Sequence, residues 1–161
     1  KIVDGRYDLW MPGGGVLNED THFLQPTPQT TQTIPSTAQR VISVGAYDSR
    51  YLAYADFSGR GYTRVTNEIK PDLAAPGVGI TTAAPGDGYE SRTGTSFATP
   101  FVTGAAALMM EWGIVRGEDL FLYGQKVKAY LRRGARPLLG GEYPNNQLGF
   151  GALCLRDSFP I

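Results

Sequence analysis

The sequence is short of the residues that most often announce a site. It has one cysteine, Cys154, which excludes an internal disulfide and leaves a thiolate metal centre without the number or spacing of ligands it needs. Cys154 is expected to be a buried or half-buried thiol. There is one histidine, His22, in Thr21-His22-Phe23-Leu24, so any hydrolysis that needs an imidazole base has a single candidate within the chain. Charge of one sign is missing too: 15 Lys and Arg stand against 15 Asp and Glu. No global field points to nucleic acid or to an anionic membrane, and neither is expected as a partner. Long apolar runs are also lacking. The longest, Phe101 to Met110, is interrupted by Thr103 and Gly104 and falls short of a bilayer span. No initiator methionine or signal-peptide pattern precedes Lys1, so the chain reads as a cut or processed piece of a longer protein.

What is present is enough chain for one domain. A protein of 161 residues buries roughly 70% of its unfolded surface. The most informative stretch is Gly94-Thr95-Ser96-Phe97-Ala98-Thr99-Pro100, which runs directly into the apolar, small-residue segment Phe101 to Trp112. A serine between a glycine and a helical pattern sits where backbone N–H groups are unpaired and the helix dipole is positive. Two readings follow. Ser96 is either an ordinary helix cap or a nucleophile whose own N–H helps hold the oxyanion formed on attack.

Around that stretch, Lys1 to Pro12 is predicted as a strand ended by Gly13-Gly14-Gly15. With no Lys-Ser/Thr after them, the glycines read as a turn rather than a phosphate loop. Val16 to Ile34, rich in Thr, Gln and Pro, suits edge strand and extended loop. The β-branched run Val41 to Val44 predicts a buried parallel strand continuing toward Asp48. Lys70 to Val78 predicts a short strand closed by Pro76-Gly77, and Ile80 to Ala84 a further extended segment turned at Pro85-Gly86-Asp87-Gly88. Pro100 is placed in the first turn of the helix that follows Ser96, where its missing N–H costs little. A second helix is predicted over about Tyr123 to Arg133, with Val127 and Leu131 inward and Lys126, Lys128, Arg132 and Arg133 on a solvated face.

The string Gly94-Thr95-Ser96-x-Ala98-x-Pro100, with Val102 and the small face Gly104-Ala105-Ala106-Ala107, resembles the nucleophile segment of the subtilisin-like serine proteases. Ile34-Pro35-Ser36-Thr37-Ala38 with Val41 to Asp48, Lys70 to Val78, and the tail Tyr143 to Gly151 resemble that family in the same order. The resemblance covers about Ile34 to Leu155. It implies an α/β, three-layer subtilisin-like fold with a parallel central sheet, of which this chain holds part. Ser96 becomes the nucleophile, its N–H and Thr95 support the oxyanion, and Thr33, Ile34 and Pro35 border the pocket for the substrate side chain before the scissile bond, with a cis Ile34-Pro35 peptide. The spacing alone equally allows a plain turn there.

The opening segment, with Asp4-Gly5-Arg6-Tyr7-Asp8-Leu9-Trp10-Met11-Pro12 and Thr21-His22-Phe23, resembles the end of the β-sandwich insertion of spore-germination subtilases of the Csp type. That divides the chain into residues 1–32, the end of an inserted β-rich domain or an extended segment, and 33–161, the C-terminal half of the catalytic domain. It also implies a secreted or spore-associated bacterial protein.

The departures are as informative. In that family the order is Asp, then His, then Ser. His22 lacks the His-Gly-Thr setting of the base and reads as structural or surface. Asp72 lies after where the orienting Asp belongs and reads as a structural hydrogen-bonder. Asn18, Asn67, Asn145 and Asn146 lack the Ala-Gly-Asn setting of the oxyanion asparagine, and Phe101 stands where the family usually has histidine.

The implied function is the C-terminal part of a serine endopeptidase acting on protein or peptide substrates. Its His and Asp would come from a missing N-terminal part or a companion chain, and the fragment alone would be inactive. No cofactor is required for that chemistry. Structural calcium is common in the family, but no carboxylate cluster identifies a site. The competing class is a pseudoprotease kept as a binding or regulatory module. An α/β-hydrolase elbow is excluded because no histidine follows Ser96, and a Ser-x-x-Lys enzyme because Thr99 fills the lysine position.

Overall fold

The computed structural model describes residues 5, 7–12, 16–138 and 140–160. Its sheet is built from β1 (Val44–Asp48), β2 (Ala53–Tyr54) and β3 (Leu73–Pro76), in the order β2-β1-β3. β1 and β3 are parallel, Val44 opposite Leu73 and Tyr47 opposite Pro76, and β2 folds back antiparallel onto Tyr47 and Asp48 alone. Both parallel strands are buried on two faces, the setting in which a parallel sheet carries small and apolar residues without alternation. On one face Ala46, Leu73 and Ala75 pack with Ala98, Val102, Ala105 and Met109. On the other, Tyr47 and Ala74 pack with Leu148 and Ala152. A separate hairpin joins β4 (Ile80–Ala84) to β5 (Gly88–Arg92). Mixed α/β content with a partial parallel sheet agrees with the expected fold class.

Helix α1 (Thr95–Met110) runs on into a π-helical turn, Glu111–Val115. Its buried residues recur at 98, 102, 105 and 109, the spacing of one helical face. Of the small-residue run, only Ala105 is buried, while Gly104 and Ala107 are exposed. Together the two segments make a 21-residue helical stretch, Thr95–Val115, long and apolar enough to cross a bilayer by length and composition. Thr103 and Gly104, which interrupt the apolar run in the sequence, are both accommodated within the helix, and the Thr103 hydroxyl bonds back to Thr99 O at 3.2 Å. Here the stretch packs as a core helix on the sheet. Pro100 lies in the second turn rather than the first, so it has no N–H to offer the carbonyl of Ser96 four residues back.

Two further expectations are corrected. Tyr7 to Pro12 carries no strand, and the rest of the predicted Lys1–Pro12 strand, like Gly13 to Gly15, lies partly or wholly outside the described residues. The parallel strand starts at Val44 rather than Val41, because Ser43 is already engaged by Asp72. The Ser43 N–H donates to Asp72 Oδ2 at 2.7 Å, and the Asp72 N–H donates to Ser43 O at 2.8 Å.

Helix α2 (Gly124–Arg133) buries Val127 and Leu131 as predicted, and a short α3 (Leu155–Ser158) packs against it. Lys128, however, is not on a solvated face. It is 6% exposed and donates to Gln39 O and Val41 O, each at 2.9 Å, with Asp72 Oδ1 at 3.0 Å. Position 128 borders the Val127–Leu131 face, so its stem is drawn inward once a carboxylate waits at the end of it.

The start of α1 is set by β3. Gly77 O accepts the Gly94 N–H at 2.8 Å, and a Cβ at Gly77 would lie 2.7 Å from Ala46 Cβ and 3.0 Å from Gly94 O. Gly77→Ala is therefore expected to destabilise the protein by about 1–3 kcal/mol, the usual cost of forcing volume into a packed site. Chemical denaturation of the full-length protein checks this. An unchanged midpoint would show that the strand and helix separate freely.

Candidate active site

Three segments meet around a cleft of about 700 Å³: residues 31–33 with 35 and 36, the chain from Val41 to Val44 with the turn 56–60, and the start of α1 through Thr95, Ser96 and Thr99. Gly94 makes the bend into α1 with φ 155° and ψ 159°, backbone that is open to glycine and strained for other residues. Gly94, not Ser96, occupies the cap position, and no side chain caps the helix. The ordinary-cap reading of Ser96 is thereby excluded. Among the described residues no hydrogen bond engages the amides of Thr95 or Ser96, or the Ser96 hydroxyl. Ser96 is exposed. A free hydroxyl beside free amides at the positive end of a helix can attack a carbonyl and hold the resulting negative oxygen.

Thr33 and Pro35 line the cleft with Ser96. Ile34 is 89% exposed and does not line it, and the Ile34-Pro35 peptide is cis. Asp56 and Arg60 are the charged residues among the lining ones, and the Arg60 guanidinium stacks on the Tyr54 ring 4.8 Å from its centroid. His22 is exposed and does not line the cleft, as its setting predicted. Two of the four asparagines make structural side-chain bonds: Asn145 Oδ1 accepts the amides of Gln147 and Leu148, and Asn146 donates to Gly61 O at 3.1 Å. The outer edge of β1 is covered only toward its C-terminal end, by β2 at Tyr47 and Asp48 and by the Ser58 hydroxyl on the Ala46 N–H at 3.0 Å. Val44, on the same edge, opens into the cleft.

Three comparisons bear on this geometry. The sequence profile of the Subtilase family (Peptidase S8) matches residues 18–151. The chain belongs to the subtilase family. Its structure aligns with that of the CspB protease of Clostridium perfringens at a TM-score of 0.84 and 47% identity, covering 89% of this chain and 30% of that one. That likeness bears out the resemblance to Csp-type subtilases. Pyrolysin of Pyrococcus furiosus is 32% identical over 74% of this chain and 10% of its own length, and the serine protease AprX of Bacillus subtilis 33% identical over 84% and 33%. The chain thus spans a third or less of these three subtilases.

Beneath the cleft of this subtilase lies a charged cluster that sequence reasoning found only in part. Asp72 is a structural hydrogen-bonder, as its place in the sequence implies. Its partners are Lys70 Nζ at 3.0 Å, Lys128 Nζ at 3.0 Å and the Ser43 N–H. Lys70 and Asp72 are each 1% exposed. Burial pushes the Lys128 ammonium below the ordinary lysine range, against the pull of Asp72. Arg132 is 3.9 Å from the same carboxylate, and its guanidinium stacks on Phe150 at 3.8 Å. The missed signal was a lysine adjoining the apolar face of α2. Gln32, Ser36 and Ser43 also line the cleft; nothing in their spacing marked them.

Proposed function

We propose that this chain is the serine-bearing part of a subtilisin-like serine endopeptidase. Ser96 Oγ attacks the substrate carbonyl carbon, and its proton passes to a histidine that lies outside this chain and is oriented by an aspartate, also outside it. The amides at Thr95 and Ser96 hold the oxyanion. The amine then leaves with that proton, and water hydrolyses the acyl-serine. Thr33 and Pro35 border the site of the side chain before the scissile bond, and Ile34, exposed to solvent, does not. The observation that supports this reading most directly is the exposed Ser96 hydroxyl, unbonded among the described residues, beside amides equally without a partner among them, at the mouth of the cleft.

A fluorophosphonate probe tests it. The full-length protein is expected to be labelled at Ser96, and this chain alone to stay unlabelled under the same conditions. Failure of the full-length protein to label favours the binding-module reading. Labelling of the isolated chain at the rate of the whole protein removes the need for an outside histidine.

The partner that supplies the histidine and aspartate has a surface to cover. Phe101, Leu108, Met110, Ile114 and Val115 are exposed along the helical stretch, the last at 79%. With the open edge of β1, these side chains offer a companion segment an apolar face and an unpaired strand edge to cover. The isolated chain is expected to self-associate in size-exclusion chromatography and to lose that tendency when the remaining segment is supplied. A stable monomer on its own would count against the companion segment.

A further inference from the structure

Gln32 ties together the segments that surround the cleft. Its Nε2 donates to Gly59 O at 3.0 Å. Its Oε1 lies 2.9 Å from the Ser43 hydroxyl and 3.1 Å from that of Ser36. The Ser36 hydroxyl is also 2.5 Å from Thr33 O, so its one proton is shared between that carbonyl and Gln32 Oε1, and the hydroxyl spans the turn through Ile34 and Pro35. The neighbouring Thr31 reinforces the same seam, its N–H donating to Arg60 O at 2.9 Å and its hydroxyl accepting the Arg60 N–H at 2.9 Å.

Ser43 is the inner anchor of this arrangement. It is 2% exposed, and both its N–H and its carbonyl bond to Asp72. Asp72 is in turn held by Lys70 and by Lys128 from α2. A continuous line of polar contacts therefore runs from α2 through Lys128, Asp72, Ser43, Gln32 and Ser36 to the carbonyl of Thr33. Its inner end is buried and charge-assisted, so it is rigid. Its outer end is the wall facing Ser96.

We propose that Gln32 is a positioning residue for substrate recognition, holding the Thr33–Pro35 wall in register with Ser96 by coupling it to the buried Asp72 cluster. This rests on the protease reading above. The chemistry suits a carboxamide, because Gly59 O needs a donor and the two serines need an acceptor, and a primary amide supplies both. The three groups that Gln32 bonds all line the cleft. Losing it loosens the wall without touching the reacting atoms. The cost then falls on substrate binding rather than on the chemical step.

The test uses the full-length protein, with active sites counted by fluorophosphonate and peptide substrates that differ in the residue before the scissile bond. Gln32→Leu is expected to raise KM about tenfold and to blunt the preference among those substrates, with kcat within about threefold. Ser43→Ala, which keeps the backbone bonds to Asp72, is expected to act in the same direction. Because both act through one line of contacts, the double variant is expected to be no worse than Gln32→Leu alone. Unchanged KM and preference with only a lower melting temperature would reduce Gln32 to a structural role. Strictly additive effects would break the coupling to Ser43. A wild-type protein that is not labelled at Ser96 removes the protease reading and this role with it, whereas labelled protein with unchanged KM removes this role alone.

Discussion

Ser96→Ala is expected to lower kcat/KM of the full-length protein by about four orders of magnitude or more, the scale on which removal of a triad nucleophile acts. Stability should hardly change. Ser96 is exposed, its hydroxyl has no partner to lose among the described residues, and alanine is a good helix former in the first turn. The contrast with Thr95→Ala sharpens the result. That variant keeps the backbone amide, so its loss should stay below about a hundredfold, within what one oxyanion donor supplies. Steady-state kinetics with thermal unfolding in parallel decide the matter. A Ser96→Ala protein retaining more than a few per cent of activity would mean that the nucleophile lies elsewhere.

The second large effect is on stability. Asp72→Ala is expected to cost about 3–5 kcal/mol, because it removes one partner from a buried set of charges and leaves the others unpaired. Lys70 and Lys128 would keep only the carbonyls of Gln39 and Val41, and the Ser43 N–H would lose its acceptor. Lys128→Met should be far milder. Asp72 then remains paired with Lys70 and Ser43, the Val41 carbonyl keeps Lys70 at 3.2 Å, and an ammonium whose burial is unfavourable is gone. Urea unfolding of the full-length variants measures this asymmetry. Equal losses from both substitutions would show that the cluster is held by its geometry as a whole rather than by the single carboxylate.

These two residues illustrate how differently the parts of the molecule were legible. Ser96 was visible because its neighbours are tied to it locally: a glycine for the bend, an apolar face at helical spacing and a proline nearby all belong to one continuous stretch. Helix α2 was visible for the same reason. The sheet was legible in composition but not in its limits, since Val41 to Val44 has strand character throughout while Asp72, 29 residues from Ser43, determines where pairing starts. The position of Pro100 was misjudged by a turn because the helix begins at Thr95, directly after the Gly94–Gly77 contact that sets its start. Lys128 was misplaced because a helical pattern shows which residues flank the buried face, not which charge awaits them on another segment.

From its own residues the sequence determined the family, the helix that carries Ser96, the small and apolar strands beneath it, and the absence within the chain of a base in the expected setting. The family followed from the resemblance of one motif and its flanks; the helix and strands are properties of short stretches, encoded by periodicity and by backbone-restricted residues such as Gly94. Tertiary structure alone decided that Ser96 is exposed rather than a cap, that Lys128 is buried, and that Gln32, Ser43 and Asp72 form one line to the cleft wall. Each of these depends on where groups far apart in the chain meet, and the energy of a buried charge or an unpaired amide is set by that meeting rather than by the residue itself.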